Sequence, residues 1–177
     1  LRFFERQEIK DALAYLRLIS NRDDDASFER VVNLPTRGIG ARTLEVLRAR
    51  SREHVKSMWQ SAFECNEDLG AKAVSSLQAF LTLIEKLDAE TQGLPLHEQV
   101  DHVIQRSGII AHYKKEPRDR AEGRLENLDE LVSAARSFET DERPATGTDG
   151  EDDARLPPLL DFLSHAALES GDAQADS

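Results

Sequence analysis

The sequence contains very little of several residue types that define whole classes of protein. A single cysteine in 177 residues excludes an intrachain disulfide framework and any cysteine-rich metal site, and it is typical of proteins from a reducing compartment. No apolar run approaches the roughly 20 residues that cross a bilayer. The chain also does not open on a charged stretch followed by an apolar one, as a signal peptide would. We therefore expect a cytoplasmic protein with no membrane partner.

Sequence signatures of nucleotide binding and of catalysis are missing as well. The chain has neither the G-x-x-x-x-G-K-[ST] phosphate-binding loop nor the G-x-G-x-x-G dinucleotide fingerprint. His97 and His102 stand five residues apart, which on a helix turns their side chains roughly 140° from each other, unlike a paired zinc site. Cys65 lies at the end of an apolar helix, where packing explains it better than a nucleophilic role. We expect no catalytic residue, metal or cofactor in this chain.

Acidic residues outnumber basic ones overall, but the basic residues are concentrated in one part of the chain. The 23 lysines and arginines face 34 aspartates and glutamates, a net charge of −11, whereas nucleic-acid-binding modules usually carry a positive surplus. Residues 1–60 hold 12 basic and 9 acidic side chains, a balance of +3, and residues 61–177 hold 11 and 25, a balance of −14. Within 30–56, seven basic side chains face two acidic ones. The excess of acidic residues therefore counts against DNA binding only for residues 61–177.

Apolar residues recur at three- and four-residue intervals along most of the chain, the period of an amphipathic helix. This pattern predicts an all-α domain of about eight helices, and no alternating run is long enough for a convincing strand. We expect the helices near residues 5–20, 25–32, 41–50, 55–65, 71–91, 96–105, 124–138 and 158–168. Acidic residues with glycine, proline and threonine predict a flexible acidic loop over 139–156, and the tail at 170–177 is expected to be disordered.

One motif, between the second and third predicted helices, has an identifiable binding chemistry. It consists of Thr36, Arg37, Gly38, Ile39, Gly40, Arg42 and Thr43. A Gly-x-Gly turn lets the backbone adopt positive φ and approach a ligand closely, and the following helix offers free N–H groups and the positive end of its dipole to a phosphate. Ile39 would anchor the turn in the core, while the arginines and threonines supply cations and hydroxyls. The motif predicts a helical hairpin that contacts a DNA backbone without reading bases.

A purely structural role explains the same motif equally well. In that interpretation the glycines serve only the geometry of a tight connection between helices, and the arginines are solvated. Three further cations offer secondary contacts to DNA: Arg48 on the next helix, and Lys114 and Lys115 after a second predicted turn. A solvated helix face explains these three cations too.

Several stretches of the sequence, in the same order along the chain, resemble one protein family. They are residues 3–11, 14–19, 28–33, 36–40, 124–131 and 162–168. Together they resemble the 2B subdomain of UvrD/PcrA/Rep-type superfamily 1 DNA helicases, most of all the UvrD branch. The resemblance implies that residues 1–177 form a single subdomain excised from a longer protein, in which it is a helical insertion in the second motor domain.

The resemblance also implies a function. In this family the 2B subdomain lacks ATPase motifs, contacts the backbone of duplex DNA near a fork through its Gly-Ile-Gly turn, and swivels to modulate or inhibit unwinding. The parent protein is expected to be a bacterial ATP-dependent 3′–5′ DNA helicase of nucleotide-excision and mismatch repair, associated with the nucleoid. ATP and Mg²⁺ would be bound by its motor domains. Double-stranded DNA, those motor domains, and repair or transcription proteins are the expected partners.

A different class of function remains open on the residues alone. The chain would then be a protein-interaction module, in which the helical surface and the acidic loop bind repair or transcription proteins and the Gly-Ile-Gly turn is purely structural. Four charged residues near the chain start, Arg6, Glu8, Lys10 and Asp11, are expected to form a salt-bridged junction with the motor domain. Asn127 is expected to be a buried polar tie between helices, because a buried amide must find hydrogen-bond partners.

Overall fold

The computed structural model describes residues 2–65, 67–142 and 155–171. In these ranges the regular structure is entirely helical, so the predicted all-α class is confirmed. The α-helices in this part of the chain are α1 (Gln7–Ser20), α2 (Asp25–Val31), α3 (Ala41–His54), α4 (Met58–Glu64), α5 (Ala71–Thr91), α6 (Leu96–Arg106), α7 (Ile109–Tyr113), α8 (Arg118–Ser137) and α9 (Pro158–Ser170). A 3-10 turn (Phe3–Glu5) precedes α1, and a π-helical turn (Phe138–Glu142) follows α8.

The helix boundaries agree best with the prediction where local signals are strong. Helix α5 begins and ends at the predicted residues, and α8 begins earlier than predicted, at Arg118. The short α7 was not predicted, because five residues are too few to display a helical period. Residues 143–154 of the predicted acidic loop and 172–177 of the predicted tail lie outside the described residues, whereas Ser170 belongs to α9. None of the helices described is long and apolar enough to cross a membrane.

Two of the short helices, α2 and α4, begin with side-chain caps, and a further hydrogen bond connects their first residues. The carboxylate of Asp24 accepts the N–H of Ser27 (3.0 Å) as the N-cap of α2. The hydroxyl of Ser57 accepts the N–H of Gln60 (3.2 Å) at the start of α4. Asp25, the first residue of α2, accepts the N–H of Met58 at 2.8 Å. The start of α4 is thereby held against α2 by satisfying backbone groups that a helix leaves free.

Helix α1 lies at the centre of the molecule. It contacts α2, α5, α6, α8 and α9, and ten of its 14 residues are buried, as expected for a helix covered on most of its sides. Two of those ten residues, Glu8 and Asp11, are carboxylates. Each of them therefore needs a partner inside the protein, because a buried charge without a partner is strongly destabilising.

Asp11 finds two partners inside the chain. Its Oδ1 accepts Nε of Arg30 from α2 at 2.8 Å, and its Oδ2 accepts the hydroxyl of Tyr113 from α7. Since the side chain of Asp11 is only 2% exposed, this carboxylate connects three helices through the core.

Glu8 is likewise satisfied within the chain, by Arg124 of α8. The Nη1 of Arg124 lies 3.0 Å from Oε2 of Glu8, and its Nε lies 2.6 Å from Oε2 of Glu116. The expected junction with a motor domain is therefore wrong for Glu8 and Asp11, whose carboxylates are already paired inside this domain. Arg6 donates to Oδ1 of Asn127 at 2.6 Å. Asn127 is therefore a polar tie, as predicted, but it is only partly buried and connects the residue before α1, rather than a second helix, to α8.

Both tyrosines of the chain are buried, and burial raises the pKa of each phenol. For Tyr113 the hydrogen bond to Asp11 adds to the effect of burial, and for Tyr15 the nearby Arg37 opposes it. Each phenol thus holds its proton more strongly in the folded than in the unfolded chain. The stability they contribute is complete below the unfolded pKa of about 10 and is lost as the pH rises above that value.

An alkaline titration tests this prediction. Tyrosinate absorbance is expected to appear only above pH ~10 and together with the loss of helical circular dichroism. Tyrosinate that forms near pH ~10 while the helical signal stays constant would contradict the prediction.

Val55 ends α3 in an unfavourable backbone conformation. Its φ is 52° and its ψ 53°, the left-handed region, and its side chain is 91% exposed. A β-branched residue is strained there, whereas glycine is not. Val55→Gly is expected to raise the free energy of unfolding by about 1 kcal/mol, since no burial is lost. Urea denaturation measures the change, with Val55→Ala as the control that keeps a Cβ and gains less. A glycine variant no more stable than the parent would disprove the strain.

Candidate nucleic-acid interface

The segment between α2 and α3 forms a compact hairpin ordered by one asparagine. Oδ1 of Asn33 accepts the N–H groups of Arg37 (2.7 Å) and Ile39 (3.2 Å). Gly38, between them, has φ +79°, where a residue with a Cβ would be strained. The side chain of Ile39 is 1% exposed, so it anchors the hairpin in the core as the sequence predicts.

The guanidinium of Arg37 points into the molecule. Its acceptors are the carbonyl oxygens of Val31 (2.9 Å), Val32 (3.1 Å), Leu34 (3.3 Å) and Ser107 (3.3 Å) and the hydroxyl of Tyr15 (2.6 Å). Its Cζ also lies 5.1 Å from the centre of the Phe80 ring, within the range of a cation–π contact. The sequence predicts a cation that faces a phosphate at this position. The structure instead places this guanidinium against the hairpin's own backbone carbonyls.

The hairpin rests on the turn between α6 and α7. Besides the hydrogen bond from Arg37 to Ser107, Pro35 packs against Gly108, which has φ +94°. A Cβ on Gly108 would lie 2.9 Å from Cγ of Pro35, closer than side chains pack. Glycine at position 108 thus permits the close contact with Pro35 that holds the hairpin against the turn between α6 and α7.

The outward side of the hairpin is the start of α3. Gly40 is the N-cap and supplies no side-chain cap, and the first helical hydrogen bond runs from the N–H of Leu44 to the carbonyl of Gly40 at 3.2 Å. The N–H groups of Ala41, Arg42 and Thr43 therefore precede the repeating ladder of the helix. Arg42 is exposed beside them, whereas Thr43 is only 7% exposed. The backbone amides and Arg42, rather than the Thr43 hydroxyl, form the accessible surface.

Gly40 differs from Gly38 in what the fold requires of it. Its φ is −94°, which any residue adopts, and a Cβ added there would meet nothing within 4 Å. In the part of the chain that the structure describes, neither the backbone nor the packing needs a glycine at position 40. The missing side chain leaves the amides at the start of α3 uncovered.

The remaining predicted site residues lie in different surroundings. Thr36 is exposed on the hairpin. Arg48 is about half exposed, and its Nε donates to the carboxylate of Glu29. Lys114 and Lys115 are exposed after the last residue of α7, and the N-cap of α7, Gly108, lies against Pro35 of the hairpin. The structure therefore brings the α7 segment close to the hairpin at one end, while Arg48 already has an acidic partner.

The structure shows a second basic surface that the sequence does not predict. Lys10, Arg17 and Arg30 surround a depression of about 230 Å³ between α1 and α2, with Ser27 at its edge. The signal for it is the seven-residue spacing of Lys10 and Arg17, which places both on one face of a helix. Arg30 comes from another helix, so the sequence alone does not show that it joins them.

Comparison with known proteins gives the class to which this hairpin-bearing helical domain belongs. All 177 residues match the model of the UvrD-like helicase C-terminal domain, and the chain belongs to that family. It is 52% identical over its whole length to DNA helicase II of Escherichia coli (strain K12) and 51% identical to DNA helicase II of Salmonella typhimurium (strain LT2). Over 98% of the chain it is 35% identical to the ATP-dependent DNA helicase PcrA of Bacillus subtilis (strain 168). The chain spans 24% of the length of each of these relatives.

Proposed function

We propose that this chain is the 2B subdomain of an ATP-dependent 3′–5′ DNA helicase, and that it binds the backbone of duplex DNA through the start of α3. The observation that carries the proposal is the uncapped N-terminus of α3 at Gly40, an exposed position where the fold does not itself require glycine. A phosphate can approach these amides closely because no Cβ stands in front of them. Membership of the UvrD-like helicase family supports DNA as the ligand.

The binding chemistry is independent of base sequence. The first N–H groups of α3 donate to phosphate oxygens, the positive end of the helix dipole favours the anion, and Arg42 adds a cation. Contacts of this kind position a protein on DNA without reading base edges. The hairpin therefore orients the duplex relative to the rest of the helicase.

Arg37 contributes to this function as a positioning residue. Its guanidinium holds the carbonyl oxygens of residues 31, 32 and 34 and connects the hairpin to Tyr15 and Ser107. The start of α3 is thus presented on a rigid support rather than on a flexible loop. Pre-organisation of this kind lowers the entropy lost on binding.

Further cations extend the phosphate-binding surface. The depression between α1 and α2 places Lys10 and Arg17 within one concave surface, beside an Arg30 that is already paired with Asp11, and Lys114 and Lys115 add exposed charge beyond α7. Arg48 contributes less, because Glu29 already neutralises it. The acidic surplus of residues 61–177 keeps binding by the isolated chain weak and salt-sensitive.

The remaining roles belong to the longer helicase. We assign the binding of ATP and Mg²⁺ to its motor domains. In the whole protein this subdomain swivels against those motors and modulates unwinding during nucleotide-excision and mismatch repair. Repair or transcription proteins complete the set of partners, and the bacterial nucleoid is the site of action.

Two single substitutions test the start of α3 against a matched control. Gly40→Ala adds a methyl group in front of the amides, and Arg42→Gln removes the cation. Each is expected to weaken binding of a duplex about fivefold, roughly 1 kcal/mol, for all base sequences alike. Arg42→Gln is also expected to reduce the slope of log K against log salt by about 0.9, the value for one phosphate. Fluorescence anisotropy with labelled duplexes at several salt concentrations measures both effects.

Gly70→Ala is the control for Gly40→Ala. Gly70 is likewise an uncapped N-cap, has negative φ (−66°), and a Cβ added there would meet nothing within 4 Å. Both alanine variants lose the same helix-start preference, so both should unfold at similar urea concentrations while only Gly40→Ala binds DNA more weakly. Unchanged affinity in both Gly40→Ala and Arg42→Gln would remove the hairpin from DNA binding. The same result would favour a protein-interaction module in which the turn is purely structural.

A further inference from the structure

Five aromatic rings meet in a pocket between the 3-10 turn, α8 and α9. They belong to Phe3, Phe4, Phe138, Phe162 and His165, and the pocket they line has a volume of about 350 Å³. The centre of the Phe138 ring lies 5.5 Å from that of Phe162 and 5.2 Å from that of His165, and Phe4 lies 6.0 Å from His165. The rings thus form one continuous cluster whose surface is partly open to solvent.

The rim of this pocket carries negative charge. Glu130 of α8 and Asp141 and Glu142 of the π-helical turn line it, and all three side chains are exposed. In the described ranges none of these carboxylates takes part in an ion pair. The buried carboxylates Glu8 and Asp11, by contrast, are fully paired. Among the residues that the structure describes, no lysine or arginine lines the pocket, and the nearest cation to its rings is Arg6, whose Cζ lies 5.8 Å from the centre of the Phe3 ring.

We propose that this pocket binds an arginine or lysine side chain from a basic segment of another protein. The faces of aromatic rings attract cations, and three unpaired carboxylates complement a positive ligand at the rim. The same charges repel phosphate, so this surface is unsuited to the DNA backbone. Because the carboxylates come from two separate elements, they can meet charges at successive positions of a basic segment rather than one small cation.

The volume of the pocket fits this occupant. A cavity of about 350 Å³ admits a guanidinium or ammonium group together with much of its aliphatic stem. The stem would lie along the phenylalanine rings while the charged end remains near the carboxylates, the usual arrangement of long basic side chains. This interaction is separate from DNA binding by the hairpin and does not depend on it.

A fluorescent peptide of six arginines tests the proposal with the 177-residue chain. The comparison peptide contains six citrullines, which keep the shape of the side chain but lose the charge. Asp141→Asn combined with Glu142→Gln is expected to weaken binding of the arginine peptide about tenfold. The control is Glu98→Gln combined with Asp101→Asn, which removes the same charge from exposed positions on α6 and is expected to change affinity less than about twofold.

A second variant tests whether the aromatic rings, and not only the carboxylates, contribute to binding of the arginine peptide. Phe3→Leu keeps an apolar side chain but removes the ring, and it is expected to weaken the arginine peptide about two- to fivefold, as the loss of one cation–π contact predicts. The ring signals of His165 in NMR spectra are expected to shift on titration with the arginine peptide. Circular dichroism of each variant verifies that the chain remains folded.

Three results would overturn the proposal. If the pocket variant and the α6 control lost the same affinity for the arginine peptide, the binding would be a general attraction of the peptide to an acidic protein. Equal affinity for the citrulline peptide would remove the cation from recognition. Self-association that Asp141→Asn with Glu142→Gln abolishes, in the absence of any peptide effect, would identify a second copy of the chain as the occupant instead.

Discussion

Replacing Arg37 by alanine is expected to lower the free energy of unfolding by about 3 kcal/mol, because five acceptors each lose a hydrogen bond from the guanidinium. Three of these acceptors are backbone carbonyls of the hairpin. The carbonyls of Val31 and Leu34 keep the N–H of Leu34 and the hydroxyl of Tyr15 as donors, whereas a buried acceptor left without a donor costs about 1–3 kcal/mol. The cation–π contact with Phe80 is lost as well. Arg37→Lys is expected to recover only part of the loss, since an ammonium group has fewer donors and lacks the planar fork.

Arg42→Ala is the matched control for Arg37→Ala. Both substitutions remove one arginine from the same hairpin, but Arg42 is exposed, so its loss should change stability by less than about 0.5 kcal/mol. Urea denaturation of the single variants measures stability, and salt-dependent duplex binding separates the two roles. If Arg37→Ala left unfolding unchanged and flattened the salt slope, Arg37 would be a direct phosphate ligand, as predicted from the sequence, rather than a positioning residue. The variant with both alanines is expected to weaken binding to all duplex sequences alike.

Replacing Asp11 by alanine is the second substitution with a large expected effect, also about 3 kcal/mol of unfolding free energy. The carboxylate is buried and holds Arg30 of α2 and the hydroxyl of Tyr113 of α7. Removing one partner of a buried charge pair typically costs about 3–5 kcal/mol, and partial exposure of Arg30 places this site at the lower end of that range. Chemical denaturation should report the loss as a lower midpoint.

A double-mutant cycle with Tyr113→Phe separates the contribution of the hydroxyl. Tyr113→Phe alone is expected to cost about 1 kcal/mol, because Arg30 still pairs with Asp11. In the double variant the loss should be smaller than the sum of the single losses, since the phenylalanine leaves no buried hydroxyl without a partner. Asp23→Ala, at an exposed position of the connection before α2, is the control and should have little effect. Strict additivity in the cycle would mean that Asp11 and Tyr113 do not interact.

Local sequence determined most of the helical architecture of this protein. The boundaries of α5 follow from Gly70 before its first residue and Gly93 and Pro95 soon after its last, because these residues favour helix ends. The conformational freedom of glycine predicts the Gly-Ile-Gly turn, and the burial of Ile39 is expected because it is the apolar residue between the two glycines. Such signals depend on neighbours within a few positions, which a sequence displays directly. The family membership also follows from the sequence, because the similarity extends along the whole chain.

Only the tertiary structure decided what the charged residues do. The hydroxyl of Tyr113 and the carboxylate of Asp11 are 102 positions apart in the chain, and Glu8 and Arg124 are 116 apart. Periodicity shows which face of a helix is buried, but not which distant side chain will meet it there. Arg37 illustrates the same point, because solvent, a phosphate and an internal carbonyl are all suitable partners for a guanidinium. The packing of the hairpin on α1, α5 and the turn before α7 selects the internal carbonyls, and it leaves the amides at the start of α3 facing outward.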